Sequence, residues 1–515
     1  MARYAAIDIG SNSIRMEAAE VLPGQPPRIL ASDREVTRLG ESVFRMGTVS
    51  EDALKSTCAV LSRMAELYRK LEVVGVRAVA TSAIRDTRNP QTFVERASQA
   101  AGTRVEIISG REEARLIHLG VETIWPAAAK RTLIIDIGGG SAEIIAAEDG
   151  RLREAYSKPL GAVRLKENFL RDDPPRSNQL HQMHEFIREK LWSSVRKLGS
   201  AGWDRAIATS ATASAVASAV ARVPRSKREE IDRQRVTAAQ VRHLYEKLSG
   251  ATLAQRRAMT GIGPRRAEII VPGMAVLLDF IQEFRLPAVY YSRAGVRDGI
   301  IADLAARNVG AELSRLARDQ RKEVEDMARH FGVSLEHARR VAGIASLLFA
   351  ALQPVHELPP RSGKLLEAAS YLLDAGHYIS SASHHKHSYY VVANSDMPGF
   401  TERERLTIAA LCRYHRKSLP NPVHGAWQAL TADERREVNL LMPILRLADN
   451  LDRSHEQRIE GVECKINPAG DVVLQIQSHG NIDLEQWGAE RVSEVFQHMY
   501  NRRLLVAKPR EKSSQ

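Results

Sequence analysis

Residues 4–21 read "YAAIDIGSNSIRMEAAEV": an apolar run to Asp8, a small polar turn, then alternating apolar and polar positions. That pattern predicts two strands paired across a tight turn. The same writing returns at 132–147 as "TLIIDIGGGSAEIIAA". Asp8 and Asp136 lie 128 positions apart, about one small domain's length, so the chain is read as internally duplicated. Between the two hairpins, "DALKSTCAVLSRMAELYRKL" carries apolar residues at helical spacing. "VVGVRAVATSAIR" predicts a strand leading into a loop, "TRVEIISG" another strand, "REEARLIHLGVETIW" a helix, and Trp125-Pro126 a break. After the second hairpin, "WDRAIATSATASAVASAV" repeats strand, loop and helix, and "LPAVYYSRAGVRDGIIADLAA" predicts a last strand, turn and helix. The charged stretches "RSKREEIDRQR" and "LAQRRAM" to "GPRRAE" are expected as solvated surface or loop. Strand signals then vanish: 320–455 reads as helices, and the last sixty residues return to short strands and one helix before the tail "KPREKSSQ", expected to be disordered. The expected organisation is lobe I at 1–128, lobe II at 129–312, a helical domain at 313–455 and a small α+β domain at 456–515.

Composition narrows the class. With 515 residues, the chain exceeds a single core and suggests three or four domains. Cys58, Cys412 and Cys464 have no ligand-like spacing, which fits a reducing compartment and argues against a zinc cluster or disulfide framework. The first apolar run ends at Asp8, so no signal peptide or anchor is expected there, and "IASLLFAALQPV" is too short to span a bilayer. A cytoplasmic protein without a membrane partner is the expectation. The net charge of +12 points to a polyanionic partner, or else to a solvated basic surface. Aromatic residues make up only 5% and do not interleave with the basic clusters, which counts against a stacking surface for nucleic acid.

The glycine turns carry the candidate chemistry. Gly138, Gly139, Gly140 and Ser141 can present backbone N–H groups to phosphate, and Asp136 and Glu143 flank the turn. Two carboxylates beside a phosphate cradle suit Mg²⁺, which favours oxygen ligands. The alternative is a tight hairpin whose acids merely brace the turn. Asp8, Gly10, Ser11, Asn12 and Ser13 form a matching turn, so two hairpins can clamp a phosphate chain, with Asp8 a third metal candidate. Neither a P-loop nor a G-x-G-x-x-G fingerprint is present. "SGREEAR" offers a base for water. Ser109 and Glu112 form a capping box, which occupies Glu112 and leaves Glu113 as the favoured base, Glu112 being the alternative.

"AAIDIGSNSIR", "AVATSAIRDTRN", "EIISGREEARLIHLGV", "LIIDIGGGSAEI", "LGAVRL" and "IIVPGMAVL" occur here in order. Together they resemble the exopolyphosphatase/guanosine pentaphosphate phosphatase family over most of residues 1–305. The resemblance implies a duplicated, actin-like (ribonuclease H-like) α/β core of two lobes that hydrolyses a terminal phosphoanhydride with Mg²⁺. It also implies Glu113 as the catalytic glutamate, Arg85 as a phosphate-contacting arginine, and a homodimer. Ala208 and Ala211 stand where that family usually has glycine; Thr209, Ser210 and Thr212 remain as phosphate donors, Ser210 foremost.

The region 320–455 resembles the HD-type helical domain of longer family members. Its candidate ligands are His337, Asp374 and Asp449, but Leu373 occupies the place of the paired histidine, and leucine cannot coordinate metal. The expectation is a degenerate HD domain without its own ion. His385, Lys386, Arg413, Arg416 and Lys417 are candidates for tracking a long anion, or else part of a solvated basic face. The leading expectation is an exopolyphosphatase acting on inorganic polyphosphate. Guanosine pentaphosphate is the alternative substrate, and a phosphotransferase or a non-catalytic alarmone sensor are the competing classes.

Overall fold

The computed structural model describes residues 2–22, 25–125, 129–308, 314–507 and 510–511. The break expected at Pro126, the boundary residues 128 and 312–313, and most of the 508–515 tail lie outside the described residues. The chain forms two compact units, Met1–Asn308 and Val309–Gln515.

The first unit contains two sheets built on one plan. Strands β1 (Ala2–Ile9), β2 (Ile14–Val21), β3 (Arg28–Glu35), β4 (Gly75–Ala80) and β5 (Val105–Ile107) lie in the order β3-β2-β1-β4-β5. Strands β6 (Arg131–Ile137), β7 (Ala142–Glu148), β8 (Arg151–Lys158), β9 (Arg205–Thr209), β10 (Arg235–Thr237) and β11 (Ala288–Tyr291) repeat it as β8-β7-β6-β9-β11, with β10 added antiparallel at the edge. Hairpin strands pair antiparallel and the crossover strands parallel in both sheets. The duplication reaches the register. Asp8 faces Arg15 and Asp136 faces Glu143, and the register shifts at Ala18/Ala19 and Ala146/Ala147, each pair 128 positions apart. An insertion that bends a strand at one place in both copies belongs to the shared plan.

β3 and β8 were not expected from the pattern. "RILASDRE" and "RLREAYSK" are edge strands with largely exposed or half-exposed residues, so little apolar alternation marks them. The loop expected after β4 opens instead with a single helical turn, Ser82–Arg85.

Two helices run between the sheets. Gly110–Ile124 buries Ala114, Ile117 and Val121 against Ile134, Ile145 and Ile207 of the second sheet. Val296–Asn308 buries Ile300 and Ile301 against Ala6, Ala19 and Val79 of the first. Each lobe thus contributes its last helix to the other lobe's sheet. The two helices approach closely at glycine: a Cβ on Gly299 would lie 1.7 Å from Leu116 O, and one on Gly120 would lie 2.3 Å from Gly295 O. A buried ion network fastens the same contact. Arg77 meets Glu106, Glu112 and Asp303 at 3.1–3.2 Å, and Arg115 meets Glu112 at 2.7 Å and Asp303 at 2.9 Å. Burial works against the charge on Asp303, but Arg307, Arg115 and Arg77 hold its carboxyl well below the usual range.

The second unit is helical from Arg318–His330 to Ala432–Asn450, then adds β12 (Ile459–Ile466), β13 (Val472–Ser478), β14 (Leu504–Val506) and β15 (Arg510–Glu511) with the helix Asp483–Tyr500. One core runs through both parts: Leu441 and Leu445 of the long helix belong to the same apolar cluster as Val472, Leu474 and Phe496.

Candidate functional site

The two hairpin turns face each other. Gly10 N–H donates to Ser13 O at 3.2 Å, and Gly138 N–H donates to Ser141 O at 3.0 Å, so both turns close in the same way. A Cβ on Gly139 would stand 3.0 Å from Ser11 Cβ and 3.2 Å from Asn12 N, so any larger residue would press the facing turn back by a few tenths of an ångström. The "LGAVRL" motif supports the second turn from behind. Ala162 N–H donates to Gly138 O, and the N–H groups of Val163 and Arg164 donate to Gly139 O, at 2.8–3.1 Å. A Cβ on Gly161 would fall 2.2 Å from Gly140 N.

Between the turns lies a cavity of about 90 Å³, a volume suited to a phosphoryl group. Asp8, Ser11, Asn12 and Ser13 line one side, and Asp136, Gly138, Gly139, Gly140 and Ser141 the other. Glu113 and Ser210 also reach the wall. Eleven of the thirteen candidates read from the sequence for this cleft therefore converge on one small space. The remaining two stand behind it. Glu143 is fully buried; its Oε1 accepts from Ser157 Oγ at 2.8 Å, and its Oε2 has no hydrogen-bond partner among the described residues. Arg85 does not line the cavity: its Nη1 donates to Glu113 Oε2 and to Ile108 O, both at 2.8 Å.

The adjacent glutamates have separate surroundings. Ser109 Oγ accepts from Glu112 N–H at 3.1 Å, the forward half of the expected capping box. The Glu112 carboxylate is held by Arg115 and Arg77, inside the network that joins the helices. One position on, Glu113 points into the cavity with Arg85 at its back.

Asp8, Glu113, Asp136 and Glu143 share this buried space with Asp298, and the acidities of all five are pushed in one direction. Burial raises Asp8. Burial, and then the neighbouring Asp8, raise Glu113 against the pull of Arg85. Burial and the Glu113 charge push Asp136 up to about 7. Burial, Glu113 and Asp136 lift Glu143 well above the usual carboxylate range. Such crowding favours protons or a shared cation. Oxygen-only donors and an orphaned buried carboxylate oxygen fit a hard divalent ion.

Ser210 carries a strain that the sequence did not place. Its φ is +75°, at the junction of β9 and the helix Ser210–Ala221, while its hydroxyl donates to Ile137 O at 3.0 Å. The position that asks for glycine-like backbone is thus Ser210 and not Ala208 or Ala211, both buried. Arg266, expected on a solvated surface, is instead buried on the cavity wall, where Arg15, Arg293 and Arg297, to which the sequence motifs give no role, also stand. Arg293 and Arg297 belong to "SRAGVRDG", directly after a strand parallel to β9, and strand carboxyl ends are where open α/β sheets place ligands.

In the second unit, His337, Asp374 and Asp449 do come together: His337 Nε2 lies 3.8 Å from Asp374 Oδ2 and 3.6 Å from Asp449 Oδ1. Arg416 and Lys417 are exposed along a cavity wall, Lys386 is exposed, and Arg413 stands over the Tyr414 ring. His385 is a correction. It is 1% exposed, packed beneath its helix, and offers no surface to a passing anion.

A duplicated β3-β2-β1-β4-β5 sheet pair with a phosphate-sized cleft between facing hairpins defines an actin-like two-lobed fold. The model of the Ppx/GppA phosphatase family matches residues 18–308, and that of Ppx/GppA phosphatase domain III matches 320–490. The chain belongs to the Ppx/GppA phosphatase family and is a hydrolase. Among solved structures it is similar to the Aquifex aeolicus PPX-GPPA enzyme, at 28% identity over 58% of this chain and 99% of that one, TM-score 0.52. An exopolyphosphatase-like protein is 25% identical over 59% and 98%, TM-score 0.56. An exopolyphosphatase from Cytophaga hutchinsonii shares the fold at 24% identity over 59% and 98%, TM-score 0.55. Among the described residues no helix is long and apolar enough to cross a membrane.

Proposed function

We propose that the chain is a Mg²⁺-dependent exopolyphosphatase that releases orthophosphate from the end of inorganic polyphosphate. The observation that carries the reading is the convergence of Glu113 and two facing phosphate-type turns on one small cavity backed by crowded carboxylates. Amides and hydroxyls of Ser11–Ser13 and Gly138–Ser141 hold the terminal phosphates, and Ser210 closes the cradle. Arg266, Arg293 and Arg297 offset charge on the phosphate oxygens. Glu113 orients a water and takes its proton as the water oxygen bonds to the terminal phosphorus. The bridging P–O bond breaks, orthophosphate leaves, and the chain is one phosphate shorter. Burial suits Glu113 to this work, because a raised pKa makes it a better proton acceptor. Arg85 acts through Glu113, fixing its carboxylate at 2.8 Å. Asp8, Asp136 and Glu143 would hold Mg²⁺, which supplies charge compensation at the transferring phosphoryl group.

A second cavity favours the alternative substrate, guanosine pentaphosphate. It measures about 530 Å³, shares Arg15, Ser210, Arg293 and Arg297 with the cleft, and has Ile29, Tyr291 and Ile301 on its walls, an environment for a nucleoside beside its phosphates. The net charge of +12 keeps the polymer as the leading reading. Orthophosphate release from long polyphosphate and from guanosine pentaphosphate, with Mg²⁺, decides between them. A larger kcat/KM on polymer supports the proposal. Preference for the nucleotide transfers it to the alternative, and no release from either leaves the sensor reading.

A further inference from the structure

The helical part of the second unit holds a histidine cluster that the cleft chemistry does not use. Asp374 Oδ1 lies 3.3 Å from His384 Nε2 and 3.6 Å from His377 Nε2, and His384 Nε2 lies 3.3 Å from His415 Nε2. Two donors bonded to one ion at about 2.1 Å and a tetrahedral angle stand about 3.4 Å apart. These three separations match that spacing, whereas the His377 and His384 rings stack at 3.8 Å between centroids, so the His377 side chain, 44% exposed, must turn before its Nε2 meets the same ion.

His415 is also oriented for it. His415 Nδ1 donates to Cys412 O at 2.8 Å, which fixes the tautomer and leaves the Nε2 lone pair facing His384. His384 and His415 are buried, at 3% and 2% exposed. The single Nε2–H of a neutral His384 cannot fully serve both His415 Nε2 and Asp374 Oδ1. A cation satisfies all of these lone pairs together. Leu373 removes one donor from the expected HD set, yet His377 and His384 supply two others within 4.8 Å of Asp374, and His415 Nε2 stands 3.3 Å from His384 Nε2. Arg416, whose Nη1 lies 3.4 Å from His384, is exposed on the cavity wall and long enough to turn outward.

We propose that Asp374, His377 and His384, with His415 as fourth donor, form a binding site for one divalent transition ion of the zinc class. Nitrogen-rich donors select such ions over Mg²⁺. The site opens on a cavity of about 560 Å³ that Lys417, Arg446 and Arg453 also line, so a phosphate-bearing anion is the class of co-ligand it would admit.

The test is a Co²⁺ titration of the full, chelator-stripped chain, followed by visible absorption and by equilibrium dialysis, with Zn²⁺ as competitor. The expected result is an intense tetrahedral-type band that saturates at one Co²⁺ per chain in excess of any ion held by the cleft carboxylates, and that Zn²⁺ abolishes. His384→Gln and His415→Gln should each weaken binding at least tenfold, whereas Asp136→Asn should keep the band. His377→Gln gives a control for folding, because the His377 side chain is 44% exposed and its replacement leaves the core intact; it too should weaken the ion. No stoichiometric uptake by the wild type, or a band unchanged in His377→Gln and His384→Gln, overturns the proposal.

Discussion

Asp136→Asn should make the metal-free protein more stable while abolishing turnover. Asp136 is buried among carboxylates, and burial with the Glu113 charge places its pKa at about 7, against 3.8 for an ordinary aspartate. Three pKa units correspond to about 4 kcal/mol. The folded state therefore keeps a proton that the unfolded state releases between about pH 4 and pH 7. The group's contribution is least unfavourable below pH 4 and worsens as pH rises, reaching its full cost above pH 7. Asparagine has the same shape and no charge. At pH 8 in EDTA the variant should exceed the wild type by up to about 4 kcal/mol, several degrees in Tm for a unit of this size. At pH 5 the gap should narrow to about 1.7 kcal/mol, less than half its size at pH 8. Mg²⁺ should reverse the order at pH 8, because it stabilises the ionised wild type and has less to bind in the variant. Thermal unfolding at pH 5, 6.5 and 8, with EDTA or Mg²⁺, reads all of this. An Asn variant melting below the wild type at pH 8 in EDTA, or an equal Mg²⁺ shift in both proteins, refutes the reasoning.

Three further outcomes follow from named contacts. Glu112→Ala leaves buried Arg77 and Arg115 short of a carboxylate, so unfolding free energy should fall by about 3–5 kcal/mol while kcat stays within a few-fold of wild type, read by denaturant melts and phosphate release. Ser210→Ala and Ser210→Gly both lose the hydroxyl, but only glycine relieves the +75° φ; alanine should be about 1 kcal/mol less stable than glycine, as thermal melts can measure. Gly161→Ala would place a Cβ 2.2 Å from Gly140 N and push the turn from its place, so KM for polyphosphate should rise at least about tenfold.

The duplicated core was legible because its hairpins repeat an apolar strand, an Asp and a small-residue turn 128 positions apart. The place of Glu113 on the cavity wall was legible because Ser109 fixes the start of its helix and gives the two glutamates different directions. Arg266, Arg293 and Arg297 were not, because single arginines in distant loops acquire meaning only when crossover topology brings them to one wall. The resemblance put the glycine-like demand at Ala208 and Ala211, but the sign of a backbone angle is no property of composition, and Ser210 bears it. The expected HD set turned on adjacency in the chain. His384 and His415 meet across 31 positions, a separation that no local spacing reveals.

The most direct measurement is the rate of orthophosphate release from long polyphosphate with Mg²⁺ for wild type, Glu113→Gln and Glu112→Gln. Loss of a positioned general base costs about 10²–10⁴ in rate. The account predicts a fall of that size in Glu113→Gln with its Tm preserved, and near-normal kcat in Glu112→Gln with its Tm lowered. Near-normal kcat in Glu113→Gln, or the large loss in Glu112→Gln instead, would contradict it.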